Sequence, residues 1–218
     1  MKPRSRREDR TKRSSLDLDA VDSDATTRAV LLDIEHRPEV GWGELLRRVE
    51  SRIRVLAHFR MGRRIGAAYD VDDLVQEVWA EAVRSFERFE YRGPGSLQRW
   101  LAGILRMKIL HAGRSLHRVP PPASSKRGAL PPLGLREALE HTATGVSHRE
   151  RRRELETKVS EALAKLPAVE REAILLKLYE GLSGREAAAQ IGVDESTVSL
   201  RFKRGLERCA RELRGFEP

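Results

Sequence analysis

The 218-residue chain is short of the features that most narrow a protein's class. It has one cysteine, Cys209, which excludes an internal disulfide and any multi-cysteine metal site and fits a reducing compartment. Aromatic residues make up 5% of the sequence, too few for one extensive core, so small helical modules with solvated connections are expected. No apolar run approaches the roughly 18 residues that span a bilayer. Nor does an apolar stretch follow the basic N-terminus, MKPRSRREDRTKRSSLDLD, as a secretory signal requires. A cytoplasmic protein with no membrane partner is expected. Catalytic signatures are missing too. There is no HExxH, no GxxxxGK[ST] and no GxSxG, and His36, His58, His111, His117, His141 and His148 share no ligand spacing. The expectation is no enzyme, no cofactor and no metal.

Charge is what the chain has in abundance. Lys and Arg number 42 against 33 Asp and Glu, a formal net charge of +9, which favours an anionic partner such as nucleic acid. A merely soluble basic protein is the bland alternative. One stretch runs against this balance. In DVDDLVQEVWAEAVRSFERF, Asp70 to Phe89, the apolar residues Val71, Leu74, Val75, Val78, Trp79, Ala82, Val83 and Phe86 recur at helical spacing. Its other face holds Asp70, Asp73, Gln76, Glu77 and Glu81, with Asp72 nearby. Asp70 is placed to cap the helix, and Asp72 and Asp73 sit where the helix dipole favours acids. Capping accounts for neither Glu77 nor Glu81.

Residues 1–37 read as a mobile basic arm, with few large apolar residues before Val30. From Pro38 a helical stripe of Trp42, Leu45, Leu46, Val49, Ile53, Leu56 and Phe59 runs to a stop around Gly62 to Gly66. After the acidic helix, Gly93, Pro94 and Gly95 forbid continuity. Ser96 then begins SLQRWLAGILRMKILHAGR, whose Leu97, Trp100, Leu101, Ile104, Leu105 and Ile109 face a core while Arg99, Arg106, Lys108 and Arg114 are open to solvent. Trp42, Trp79 and Trp100 are most simply core fillers. The pattern then dissolves into a linker, 115–148, with Pro120, Pro121 and Pro122 in a stiff extended run.

The last module, 149–218, starts with a highly charged helix. Pro167 opens AVEREAILLKLYEG, which Gly181 ends. Ser183 with Glu186 three residues on makes a capping box, and a turn at Ile191, Gly192 and Val193 leads to a final helix from about Asp194. Two helices across a tight Gly-containing turn form a helix-turn-helix, whose second helix enters the major groove. Its core side takes Val198, Phe202 and Leu206. Outward stand Ser196, Thr197, Ser199, Arg201, Lys203, Arg204 and Arg208, the donors that base edges and phosphates require. A solvated basic helix in a bundle is the alternative. Cys209 reads as a small buried residue.

Three segments together, DVDDLVQEVWAEAVRSFERF, GPGSLQRWLAGILR and LPAVEREAILLKLYEGLSGREAAAQIGVDESTVSLRFKRGLERC, resemble regions 2 and 4 of the extracytoplasmic-function (ECF) sigma factors of bacterial RNA polymerase. The resemblance covers 42–114 and 149–213. It implies an all-α fold of two small helical domains joined by a flexible Pro-rich linker, region 2 at 38–114 and region 4 at 149–218. It also implies that Asp73, Gln76 and Glu77, with Asp70 and Glu81 on the same face, dock on the clamp helices of the polymerase largest subunit. The loop carrying Tyr91, Arg92 and Ser96, together with Arg99, Arg106 and Lys108, would engage the minus-ten element and capture an unpaired base of the non-template strand. Ser196, Thr197, Ser199, Arg201, Lys203 and Arg204 would read the minus-35 element as duplex. An anti-sigma partner is common in the family, though no residue here identifies one. Where the family runs Ile-Ala-Arg-Asn and then Asp, this chain has Ile104, Leu105, Arg106, Met107 and His111, which points to an altered promoter preference. A helix-turn-helix repressor or activator outside the polymerase, or a protein-interaction adaptor, are the competing readings.

Overall fold

The structure, a computed structural model, describes residues 24–118 and 146–214. They form eight α-helices and no strand: α1 (Asp24–His36), α2 (Pro38–Gly66), α3 (Val71–Ser85), α4 (Ser96–Arg118), α5 (Val146–Ala164), α6 (Ala168–Ile174), α7 (Gly184–Ile191) and α8 (Glu195–Glu212). A 3₁₀ turn, Phe86–Arg88, follows α3, and a π-helical turn, Leu175–Tyr179, continues α6.

The N-terminal unit is built around α2. Trp42, Leu45, Leu46, Val49, Ile53 and Leu56 are buried as the periodicity predicts, and Gly62, at φ 65°, breaks the helix where the glycines signalled a stop. On α3, Leu74, Val75, Val78, Trp79 and Ala82 are buried. The Asp70 carboxylate accepts from the Asp72 amide at 2.7 Å, the expected cap. Leu97, Leu101 and Leu105 of α4 close the core. Phe86 and Phe89 stack on each other, and each meets Trp100, while Phe86 also meets Trp42 edge-on at 5.2 Å. The tryptophans are therefore core, with Trp100 half-buried under the aromatic cluster.

One expectation needs correction here. Within the arm expected at 1–37, residues 24–36 form α1, which lies on α2 with Val30, Leu31 and Ile34 buried. Those three residues fall at i, i+1 and i+4, enough for a narrow apolar stripe although the arm is polar on average. Residues 1–23, and 119–145 of the expected linker, lie outside the described residues.

The C-terminal unit follows the predicted order. Leu163, Leu166, Ile174, Leu175 and Leu176 are buried between α5, α6 and α8. Both halves of the Ser183–Glu186 capping box are formed, and Gly192 ends α7 in the left-handed region at φ 69°. Burial pushes the Cys209 thiol up to about 11.

The two units pack on each other. Val55 lies off the α2 stripe that faces α3 and α4, yet it is 4% exposed. It lines an apolar groove with Leu163, Leu178, Tyr179 and Cys209 of the C-terminal unit. A helix buried on more than one side is one with neighbours on more than one side, and α2 touches α1, α3, α4 and α5.

Candidate functional site

The acidic face of α3 divides into engaged and free groups. Asp70 is occupied by capping, and Asp72 pairs with Arg54 of α2. Glu81 accepts from Arg84 at 2.8 Å and from Lys108 of α4 at 3.3 Å. The Arg84 hydrogen bond, aided by Lys108 and opposed by partial desolvation, holds the Glu81 carboxyl below the usual carboxylate range. Asp73 and Gln76 are exposed, Glu77 is half-buried, and none of the three has a hydrogen bond or ion pair among the described residues. Asp73 and Glu77 stand one turn apart, a like-charge spacing that costs an isolated helix roughly 0.2–0.5 kcal/mol. The helix dipole favours Asp73 in the first turn but does not reach Glu77, and no cation among the described residues pairs with either.

The loop before α4 is ordered by its own side chains. Ser96 Oγ donates to the Gly93 carbonyl and accepts from the Arg92 amide at 3.2 Å. Ser96 is thereby buried as a loop fastener. Arg92 is exposed beside Glu90, which it meets at 2.7 Å. Tyr91 is half-buried under the Arg28 guanidinium of α1, 5.2 Å from its ring centre, and its hydroxyl is buried without a hydrogen-bond partner among the described residues. Arg99 donates to the Gly181 carbonyl at 2.8 Å and lies 3.8 Å from Glu186. Arg106 faces solvent. Lys108, expected with it on an outward basic face, instead turns towards α3 to meet Glu81. Two residues on from Arg106 is about 200° round the helix, so the two side chains share no face.

The helix-turn-helix is arranged as the sequence predicts. Val198, Gly205 and Cys209 are buried on the inner side of α8, and Phe202 is half-buried with the Lys177 ammonium 4.5 Å from its ring centre. Ser196, Ser199, Lys203 and Arg204 are exposed, while Thr197 and Arg201 are half-buried at the edge of the same surface. Arg208 is drawn off it by Glu170 at 3.0 Å. Among the described residues no cluster of potential ligands could hold a metal ion, and no helix is long and apolar enough to cross a membrane.

Two family models match the chain in order: Sigma-70 region 2 over residues 45–119, which takes in α3 and α4, and Sigma-70, region 4 over 156–209, which takes in the helix-turn-helix. Between them they cover more than half of the sequence. The chain belongs to the sigma-70 family. It is 31% identical over 164 residues to the ECF RNA polymerase sigma factor SigE of Mycolicibacterium smegmatis, a match spanning 75% of this chain and 58% of that protein. It is 29% identical over 172 residues to the ECF RNA polymerase sigma factor SigD of Mycobacterium tuberculosis, spanning 77% of this chain and 76% of that one. Among solved structures, CnrH in complex with the cytosolic domain of CnrY aligns at 20% identity and a TM-score of 0.40, covering 88% of this chain and 99% of that chain.

In this sigma factor Met107, already marked by its departure from the family pattern, is 58% exposed, and the structure adds surface residues that the sequence did not single out. Leu110 is 49% exposed, on the side of α4 that carries Arg106. Leu200 stands 48% exposed beside Ser199 on α8. The available signal was an apolar residue off the core stripe of its own helix. Each of the two helices thus combines cationic donors with apolar contact area, the mixture that duplex and unpaired bases both accept.

Proposed function

We propose that this sigma factor binds core RNA polymerase, directs it to promoters by their minus-35 and minus-ten elements, and helps open the DNA. Asp73, Gln76 and Glu77 dock on the clamp helices of the polymerase largest subunit, with Asp70 at the edge of the contact. Arg106, the loop around Arg92 and the start of α4 with Arg99 engage the minus-ten element, and Met107 and His111 alter its preferred sequence. Ser196, Thr197, Ser199, Arg201, Lys203 and Arg204 read the minus-35 duplex. Regions 2 and 4 occupy 38–114 and 149–218, and the residues between them thread the polymerase. The work is cytoplasmic, and the chemistry of RNA synthesis stays with the polymerase.

The observation that carries this reading is the free acidic face of α3 on an otherwise basic chain that also matches region 4. A repressor has use for the helix-turn-helix but none for an uncompensated acidic surface, whereas a basic protein surface complements it. Reconstitution is the test. Purified chain added to core polymerase should start transcription at defined sites on genomic DNA. A chain that binds duplex but leaves core polymerase inactive is the repressor or activator of the competing reading, and overturns the proposal.

A further inference from the structure

Helix α6 carries a charge where its packing calls for an apolar side chain. Ala173 and Ile174 are buried on its inner side, and Glu170, one turn before them, falls on the same stripe and is buried with them, its side chain 9% exposed. A carboxylate withdrawn from water is costly unless a cation offsets it. Arg208 of α8 is that cation, with its Nε 3.0 Å from Glu170 Oε2, and no other described side chain pairs with the carboxylate. No described donor is aligned for a hydrogen bond to Oε2, so charge carries the contact. The approach is set one turn earlier on α8 at Gly205, where a Cβ would lie 2.8 Å from Ile174 Cδ1 and 3.3 Å from the Glu170 carbonyl oxygen. The competing carboxylate of Glu212, one turn after Arg208, is taken by Lys165 at 2.6 Å. Arg208 cannot swing away without leaving a buried charge uncompensated.

The contact uses one edge of the guanidinium. Nη1 and Nη2 have no hydrogen bond among the described residues, and the Arg208 side chain is 50% exposed. Those two nitrogens form the fork that takes a phosphate. On α8, Thr197, Arg201, Arg204 and Arg208 recur at i, i+4, i+7 and i+11, one stripe along the edge of the reading surface. At about 1.5 Å per residue, Arg208 stands roughly 18 Å along the axis from Ser196, beyond the roughly 12 Å width of the major groove. With the first turns of α8 among base edges, Arg208 lies over the bordering phosphates. A long side chain loses rotamer freedom on binding, and one anchored beforehand loses less.

We propose that Glu170 is a positioning residue for duplex recognition, anchoring Arg208 so that its free fork meets a backbone phosphate beside the bases that α8 reads. This role rests on α8 reading duplex as region 4 and asks nothing of the polymerase contact. Phosphate contacts set register without reading sequence, so the pair fixes how α8 sits in the groove rather than which bases it prefers.

The test uses the full chain and a fluorescein-labelled duplex enriched from a random pool by the parent chain, with a scrambled duplex beside it. In Glu170→Leu/Arg208→Ala, which leaves no uncompensated buried charge, affinity for both duplexes should fall about tenfold and the salt slope by about 1. Glu170→Leu alone, with Arg208 present but unanchored, should lose about fivefold, while Glu170→Gln, which keeps an acceptor in place, should stay within about twofold of the parent. Arg208→Lys keeps the charge at a half-exposed position but not the fork, and should also lose about fivefold. Circular dichroism reports the fold of each variant separately. Parent-like affinity in either Glu170→Leu or Arg208→Lys would make the pair structural and overturn the role. Tighter binding in Glu170→Leu would mean that Glu170 masks Arg208, and would overturn it as well. A loss confined to the enriched duplex would make Arg208 a base contact and overturn the phosphate assignment. If the parent enriches no duplex, α8 reads no DNA and the role falls with it. Failure of the parent to start transcription with core polymerase, with the order of the variants intact, would overturn the sigma reading alone.

Discussion

The acidic side of α3 and the basic side of α4 are neighbours on the same small unit, yet they dispose of their charges in opposite ways. On α3, Asp73, Gln76 and Glu77 keep their polar groups free of internal partners. On α4, Lys108 is held by Glu81 and Arg99 by the Gly181 carbonyl, while Arg106 faces outward. A charge that has found a partner inside the chain stabilises the fold, and one that has not is available to another molecule. Net charge of +9 does not distinguish these. Free groups should therefore govern binding, and engaged groups stability.

The largest effect that can break this comparison is at α3. Reversing Asp73 and Glu77 together to Lys should abolish binding to core polymerase in a pull-down, with the circular dichroism spectrum unchanged. Retained affinity would remove α3 from the interface. Next is Arg201→Ala, which should lose about 1–3 kcal/mol of discrimination between promoter variants if Arg201 reads a base. A loss uniform over all sequences would make it a phosphate contact. Ser183 is an engaged group, so Ser183→Ala should cost about 1 kcal/mol in urea melts with no change in DNA specificity. Its partner Glu186 gives a pH signature. The Ser183 hydroxyl and amide lower the Glu186 pKa from 4.5, so its contribution is present above that value and is lost as the pH falls through the lower, folded-state pKa. The drop in stability on acidification should be smaller in Ser183→Ala than in the parent. The smallest effects separate two cations of one helix. Arg106→Ala should reduce the salt slope of DNA binding by about 1, whereas Lys108→Ala should leave it unchanged and cost up to about 1 kcal/mol of stability. Equal slopes would collapse the distinction.

Local features were the legible part of the sequence. The Asp70 cap, the Ser183 box, the Gly192 turn and the apolar stripes of α2, α3, α4 and α8 depend on neighbours within a few positions, and all are present. Family membership became readable because two modules occurred in order, each weak alone. What escaped depended on partners far along the chain. Lys108 finds Glu81 across 27 positions, Arg60 finds Glu172 across 112, and no periodicity reports such pairs. Residues 24–36 escaped for another reason. Averaging over the polar arm hid Val30, Leu31 and Ile34, which suffice once α2 offers a surface. Val55 was the overlooked hint of contact between the units, an apolar side chain pointing away from the core that α2 was expected to serve.

The aromatic cluster at the end of α3 has a consequence for how such a protein can diversify. Phe86 and Phe89 fasten one end of the intervening loop to Trp42 and Trp100, and Ser96 fastens the other to Gly93. The Ser96 fastening takes only backbone groups of the tip, the Gly93 carbonyl and the Arg92 amide, so the exposed side chains of Arg92 and Pro94 stand outside both anchorages. The tip is thus a replaceable cassette, and a relative's sequence grafted between the two fastenings should alter which base is preferred while the melting temperature of the domain stays where it was.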